Sequence, residues 1–570
     1  MTSTNRDFFA AIAVTALTWM MPGVGLAGHS DTDISANLDQ LPGIWASEGY
    51  GQIVVIENGS PMRFERYEVS AVHCLLFDSG PLEALQNRVS HVLRNAGSTR
   101  ISYMYPGNVT TYAFNRLDTV PTLCRNGGTG TNSDPLVNFD AFWATFQEQY
   151  AFFNERGVDW NALGEELRSR LTADSSDEAL FEVLSEMVIR LCDPHVEVVS
   201  PFAEFSAGVN PTCLADNHLF QEIIAEFSDQ SEFEDPFEYY QRIFRPSVLQ
   251  IIEESYFVGA MSSAARDKIH WGRLGDGVAY LGVLQMTNYA SDEATPDEDL
   301  AVLSSVLDEA LAYLSDADAL VIDIRTNTGG YDHVALDLAS RFADRPRVAF
   351  TKKTRWDDGY TAKQVSLLDP SREFQFSGPV VILTSTLTAS AAENFLLAMK
   401  ALPQVTIIGE TTVGVHSDVF PRRLPNGWRF TLSNEVYQTA DGTLFEGRGI
   451  EPDTEVAALR AADRSAGRDA GIEAALARLT TPTIDPGLGG VWWNPDRSGE
   501  GFMFHFFDVG ESRHLFATFY TYDGNGNQAY LVGSTTDFAS PVTLDVGLTE
   551  GGVFGPSYDP DDQILLPWGT

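Results

Sequence analysis

Positive charge is what this sequence has least of. Lys and Arg total 37 against 79 Asp and Glu, a formal charge of −42. A surface this acidic repels phosphate backbones and anionic lipid, which excludes nucleic acid as a partner. Cysteine is nearly as scarce. There are four, with no C-x-x-C pair, so neither a zinc knuckle nor a dithiol redox motif is supported. No apolar run of 18 residues occurs beyond the N-terminus, so no later segment reads as a membrane span and no stable membrane association is expected once the N-terminus is removed. Hydrophobic residues nevertheless make up 44% of the 570, and 35 of them are Phe, enough for real cores.

At the N-terminus Arg6 precedes an apolar run from Phe8 to Met21, then Pro22-Gly23 and the small residues around Ala27. That is the pattern of a secretory signal peptide over 1–27, too short for a comfortable span and without a basic flank on its far side. Export to the periplasm or the extracellular space is the expectation. Cysteines in an exported chain pair, and four allow three pairings. Cys74–Cys124 with Cys192–Cys213 keeps each pair inside one region, so this pairing is preferred over free buried thiols.

The rest of the chain divides by pattern. Residues 28–135 carry short β-type runs such as QIVVIE and read as an N-terminal β-rich domain. Residues 136–200 form a helical lead-in: FDAFWATFQEQYAFF and DEALFEVLSEMVIRL repeat apolar residues at helical spacing. A polar, acidic helical insertion follows over 201–275. Residues 276–465 alternate apolar strands (VAYLGVLQM, ADALVIDIR, PVVILTS, VTIIGE) with helices, the mark of an α/β core with buried strands. A helix and linker occupy 466–486, and 487–570 alternates aromatic and polar residues as a C-terminal all-β module. Its Asp523-x-Asn525-x-Asn527 partly matches a calcium loop but lacks the Gly and Glu such a loop requires, so it reads as a hairpin turn.

Three segments carry chemistry. In VVILTSTLTASAAENFLLAMK a buried strand turns into a helix at Ser390. A hydroxyl there sits in the positive field of the helix N-terminus, and the N–H of Ala391 is available to developing negative charge. Ser390-Ala-Ala-Glu393 also reads as a plain capping box. In LVIDIRTNTGGYDH a strand runs into Gly329-Gly330, where bare backbone amides can face a ligand. In VIRLCDPHVEVVSP, His195 follows an Asp193-Pro194 turn. A serine nucleophile needs a base, and His is the usual one.

Together these segments resemble the tail-specific (C-terminal-processing) proteases and the tricorn core protease. TASAAE is similar to the family's T-A-S-A-x-E nucleophile motif, DIRTNTGG to D-x-R-x-N-x-G-G, IIGETTVGVHS to G-E-x-T-x-G, and FEGRGIEPDTEV to the late E-x-x-G-V-x-P-D signature. FWATFQEQYAFFNERGVDWNAL followed by LCDPHVEV resembles the lead-in and D-x-H motif of the tricorn-like branch. The resemblance implies a crotonase/Clp-like β-α core within a multidomain α/β chain, and hydrolysis of peptide or unfolded-protein substrates through an acyl-enzyme, with no cofactor or metal.

One departure chooses the branch. The processing proteases take their base from a Lys directly after G-E-x-T-x-G, where this chain has Val415. The tricorn-like branch takes it from the D-x-H segment. The resemblance therefore implies Ser390 as nucleophile, His195 as general base and Glu446 as the orienting carboxylate, with Gly329 and Ala391 N–H groups as the oxyanion hole. Glu451 competes with Glu446, and His416 and His333 compete with His195. Pro194 replaces a polar residue before the His, and Thr328 replaces the first of three glycines. Residues 201–275 are short for a PDZ domain and lack its usual start, so none is expected. Alternatives are a non-proteolytic ligand-binding protein on the same core, an esterase using the same serine, and a cysteine hydrolase built on Cys192.

Overall fold

The computed structural model describes residues 41–86, 91–94, 99–105, 108–209, 212–214, 217–228, 233, 236–370, 374–480, 489–493, 499–509, 512–523, 525–536, 544–550 and 564–569. The expected signal peptide lies outside the described residues. Contacts divide the chain into two compact units, one reaching Ala475 and one starting at Leu476. The sequence divisions at 135/136, 200/201 and 275/276 all fall inside the first unit.

That unit begins with a seven-stranded antiparallel sheet running from Gly43–Ser47 to Tyr112–Leu117. Its buried Trp45, Phe64 and Phe114 share one apolar core with the lead-in helices, through Phe139, Phe142 and Phe146. Those helices start where their caps dictate. Asp134 accepts from the Leu136 N–H ahead of Pro135–Gln149, and Ser176 accepts from the Ala179 N–H ahead of Asp177–Ile189. The aromatic stripe of the first helix meets Phe430 of a later strand, with the Phe142 and Phe430 rings 4.9 Å apart.

The central sheet has the order Ser262–Ala264, Ile269–Gly275, Val278–Val283, Ala319–Asp323, Val380–Thr384, Val405–Gly409, Thr454–Glu455. The first three strands are antiparallel, and from Val278–Val283 onward every pairing is parallel. VAYLGV, ALVID and VVILT are buried throughout, as strands covered on both faces must be. The helix Ala391–Met399 is buried at all nine positions and anchors this core. The sheet starts at Ser262, ahead of the boundary at 276, because the IHWGRLG stretch pairs back as a hairpin onto Val278–Val283.

The insertion is helical, as its composition suggests: His218–Ser228, Pro236–Tyr239, a π turn over Tyr240–Phe244, and Arg245–Tyr256. It docks where the parallel strands end. Tyr240 Oη donates to the Thr326 carbonyl at 2.7 Å, and Asn217 Nδ2 donates to the Thr386 carbonyl at 3.0 Å. The carboxyl ends of parallel strands are where open α/β sheets place their ligands. A smaller antiparallel sheet, in the order Val419–Arg423, Arg429–Ser433, Glu197–Val199, Glu204–Ser206, carries the segment after His195. Both disulfides form as expected, Cys74–Cys124 and Cys192–Cys213.

The second unit contains a six-stranded antiparallel meander from Gly490–Trp493 to Ile564–Gly569. At its Asp523 turn the Asn525 and Asn527 N–H groups both donate to Asp523 Oδ1 at 2.8 Å, the hairpin reading of that segment.

Candidate active site

Ser390 sits at the mouth of the Ala391–Met399 helix with φ +57° and ψ −127°. An L-residue in that region costs about 1–3 kcal/mol and is held there only by its surroundings. The holding is done by the backbone. The Ser390 N–H donates to the Val415 carbonyl at 3.0 Å and to Glu393 Oε2 at 3.2 Å. The Glu393 N–H returns to the Ser390 carbonyl at 2.8 Å, and the hydroxyl, although in a capping-box arrangement, makes no capping hydrogen bond. Capping therefore does not consume the hydroxyl.

Gly329 lies against this turn. A Cβ added there would stand 2.7 Å from Ser390 Cβ and 2.9 Å from the Ala389 carbonyl oxygen, and its φ is +106°. Only glycine fits. Its amide, however, is not directed at the serine: the Gly329 N–H donates to Asn327 Oδ1 at 2.8 Å. Asn327 also accepts from the Ala389 N–H at 3.2 Å and donates to the Val283 carbonyl at 2.9 Å, so it locks the glycine loop to the nucleophile turn. The glycine loop and the Ala391 end of the helix thus meet at the serine, with the Gly329 N–H engaged by Asn327.

Glu393, fully buried, is the hub of the nucleophile side. Oε1 accepts from the Gly414 N–H at 2.7 Å and from the Thr412 hydroxyl, and Oε2 accepts from the Val415 N–H at 2.8 Å. The segment 412–415 is thereby fastened to the first turn of the serine's helix.

The same segment continues to the base. His195 is buried, and its ring faces the Ser417 carbonyl, which acts on it as a hydrogen-bond acceptor, although Nδ1 has no well-aligned hydrogen bond. Burial holds its pKa below the ordinary 6.5, opposed by Asp193, the Ser417 carbonyl, Asp418 and Glu393. A neutral imidazole at neutral pH is what a general base requires. Ser390 and His195 thus flank one loop, 412–417, the first bonded to the Val415 carbonyl and the second facing that of Ser417. Asp193 Oδ1 accepts from the His195 N–H at 2.9 Å, and Tyr150 Oη donates to Asp193 Oδ2 at 2.8 Å, so the turn before the base is fixed by its own motif and a lead-in tyrosine.

Glu446 is 2% exposed and does not hydrogen-bond the His195 ring. Its Oε2 accepts from the His416 N–H at 2.8 Å and the Ser417 N–H at 3.3 Å, and its Oε1 pairs with Arg156 Nη2 at 3.3 Å. It holds the backbone whose carbonyl faces His195. Burial, then the Asp193 carboxylate, push its pKa up to about 8 against the pull of Arg156. Arg156 Nη1 also donates to the Cys192 carbonyl at 3.0 Å, so one guanidinium ties Glu446 to the disulfide-linked turn before the base.

The competitors fall elsewhere. Glu451 is exposed. The His416 side chain pairs with Asn394 on the serine's helix, Nδ1 to Oδ1 at 3.0 Å, while Asn394 Nδ2 donates back to the His416 carbonyl at 3.1 Å. Its Nε2 lies 3.7 Å from Glu393 Oε1, and its ring is within electrostatic reach of His195. His333 lies on the Asp332–Ser340 helix, with Nε2 3.2 Å from the Pro296 carbonyl. Cys192 is in a disulfide. A buried lysine does occur, Lys352, with Nζ 3.1 Å from Glu435 Oε2 and 3.0 Å from Tyr437 Oη. Burial would lower its pKa, but Glu435, Asp418 and Asp332 outweigh this and raise it, so it stays a cation and cannot serve as a base. Sequence reasoning missed Arg156, Tyr150 and the bond from the Gly329 N–H to Asn327 Oδ1. Asp193 was visible only as a turn former.

Residues 278–456 match the model of Peptidase family S41, and residues 132–189 match the Tricorn protease C1 domain. The core is similar to peptidase family S41 over these residues. The carboxy-terminal processing protease CtpA of Bacillus subtilis is 27% identical over 172 residues, 30% of this chain and 34% of that protein. The carboxy-terminal-processing protease of Bartonella bacilliformis is 28% identical over 138 residues, 24% of this chain and 30% of that protein. The chain therefore spans about a third of the length of these relatives. The solved structure of mature CPAF complexed with lactacystin aligns with TM-score 0.41 and 13% identity, covering 61% of this chain and 97% of that one. The matched segment contains the Ser390 turn, the glycine loop, the 412–417 loop and Glu446, while His195 lies just beyond the C1 match.

Proposed function

We propose that this protein is an exported serine peptidase that hydrolyses peptide bonds of protein substrates through an acyl-enzyme. Ser390 is the nucleophile, His195 the general base and then the general acid, and Glu446 a positioning carboxylate acting through the Ser417 backbone. The observation that carries the reading is the strained Ser390 at a helix N-terminus, its hydroxyl uncapped and the Gly329 loop packed against it. As the serine attacks a peptide carbonyl, His195 takes its proton and the tetrahedral oxyanion accepts from backbone amides of the glycine loop and of Ala391 at the helix N-terminus. Each such donor is worth about 10²–10³ in rate at comparable sites. His195 returns the proton to the leaving amine, and water then hydrolyses the acyl-enzyme by the same groups. Two disulfides support export, since such bonds persist in oxidising compartments.

Fluorophosphonate labelling of the purified chain with peptide mapping tests the assignment. Label on Ser390 that disappears in His195→Ala is expected. A folded sample that takes no label there, or keeps it without His195, overturns it. Parallel assays on peptides and acyl esters separate the peptidase from an esterase.

A further inference from the structure

One buried cation stands at the centre of hydrogen bonds that reach both halves of the proposed site. Lys352, on the strand Arg347–Trp356, is 1% exposed. Its Nζ lies 3.1 Å from Glu435 Oε2, 3.0 Å from Tyr437 Oη and 3.7 Å from Asp418 Oδ2, and it donates to the Thr110 hydroxyl. Two routes lead outward from it. In the first, Tyr437 Oη donates to Asp332 Oδ2 at 2.6 Å, and Asn394 Nδ2 donates to Asp332 Oδ1 at 2.9 Å. Asp332 opens the helix directly after the glycine loop, and Asn394 stands on the helix that Ser390 begins. In the second, the Glu435 backbone N–H donates to Ser417 Oγ at 3.1 Å, on the residue whose carbonyl faces His195. The N-terminal β region closes the cluster. Tyr50 Oη donates to Glu435 Oε1 at 2.5 Å, and the Thr110 hydroxyl donates to the same oxygen at 3.1 Å.

Three carboxylates, Glu435, Asp418 and Asp332, surround this one cation. Burial, then Asp418, push the Asp332 pKa up to about 6, against the pull of Lys352 and of the Tyr437 and Asn394 hydrogen bonds. Burial also pushes Glu435 up to about 7, with Lys352 opposing and Asp418 adding to the rise. Such a cluster is a poor source of stability, because apolar groups of similar volume replace buried ion pairs at little cost or some gain. What it supplies is connection. An ionised Asp332 accepts from the tyrosine and the asparagine together, and protonation turns one of its acceptor positions into a donor.

We infer that Lys352 is a positioning residue for the peptidase reaction: it holds Asp332 and Glu435, and through them sets the glycine loop and the serine's helix against the loop that faces His195. The N-terminal β region, through Tyr50 and Thr110, then belongs to the support of the site. The inference rests on the peptidase reading.

The test compares the full wild-type chain with Lys352→Met by fluorophosphonate labelling of Ser390, by kcat and KM on a peptide against pH, and by Tm. A wild type that takes no label on Ser390 overturns the peptidase reading and this inference with it. In a wild type that labels, Lys352→Met should lower kcat by about 10–10²-fold with KM little changed. It should also move the acid limb of kcat to higher pH, because Asp332 loses the cation that opposes its burial. Tyr50→Phe, which takes one donor from Glu435, should lower kcat less and leave the limb in place. The double variant Lys352→Met/Glu435→Gln removes the buried acid left without its cation. It should regain Tm while its acid limb stays raised. An unchanged kcat in Lys352→Met overturns the positioning role and leaves the peptidase reading standing. So does a kcat that falls with Tm, keeps its acid limb in place and returns with Tm in the double variant.

Discussion

Two buried glutamates flank the 412–417 loop and are held in opposite ways. Glu393, on the nucleophile side, accepts only from uncharged donors: the Ser390, Gly414 and Val415 N–H groups and the Thr412 hydroxyl. Three of those partners lie within one loop, and the fourth is on its own helix turn. Glu446, on the His195 side, faces a guanidinium contributed from 290 positions earlier in the chain, together with two loop amides. The proposed nucleophile is thus fixed by local backbone geometry and the proposed base by long-range charge. The second device, having a charged partner, answers to ionic strength.

The largest effect that tests this division is the loss of the nucleophile itself. Ser390→Ala should cut kcat on a peptide substrate by about 10⁴-fold or more, with Tm unchanged or raised, since Ala loses nothing to capping. Retained turnover in that variant would move the reaction away from the strained turn. His195→Ala should cost about 10²–10⁴ in kcat. His416→Ala should leave kcat within about tenfold and instead lower stability by about 1–3 kcal/mol, because it empties a packed site and leaves Asn394 without its partner. The reverse pattern would make His416 the base.

The two glutamates give the finer contrast. Glu393→Gln turns an amide NH₂ toward N–H donors that need acceptors. It should cost about 2–4 kcal/mol in a urea midpoint series, with activity falling as the nucleophile turn relaxes. Glu446→Gln keeps an acceptor for the Ser417 strand and leaves Arg156 its Asp193 neighbour. Its cost to stability should be about 1–2 kcal/mol, appearing mainly as a lower kcat with KM little changed. Equal losses in both variants would erase the distinction.

The same division explains what the sequence made legible. TASAAE, DIRTNTGG and GETTVG are contiguous motifs whose residues meet one another within a turn, so Ser390, Ala391, Asn327 and Glu393 could be read directly. The strand pattern located the parallel core for the same reason, since VVILT and ALVID need burial on both faces. The bond that engages the Gly329 N–H was not readable. It depends on which way one asparagine side chain turns. Arg156 and Tyr150 were hidden because their partners, Glu446 and Asp193, lie far away in sequence and no local pattern announces an ion pair.

The smallest expected effect is a slope, and it sharpens the comparison most directly. Glu446 binds its proton up to about pH 8 in the folded chain, against an ordinary value of 4.5. Between those values the folded state holds a proton that the unfolded state has released, so this group makes stability decline as pH rises. His195 acts in the other direction. Its folded pKa lies below 6.5, so the unfolded state takes the proton first and stability is lost as pH falls below 6.5. From 6.5 upward the imidazole is neutral and kcat/KM should be flat, while stability still drifts down through Glu446. Urea midpoints for Glu446→Gln across pH 6.5 to 8 should lose that downward drift while the activity profile keeps its acid limb. An unchanged slope would mean that Arg156 and the His416 and Ser417 amides keep Glu446 ionised in the fold across that range.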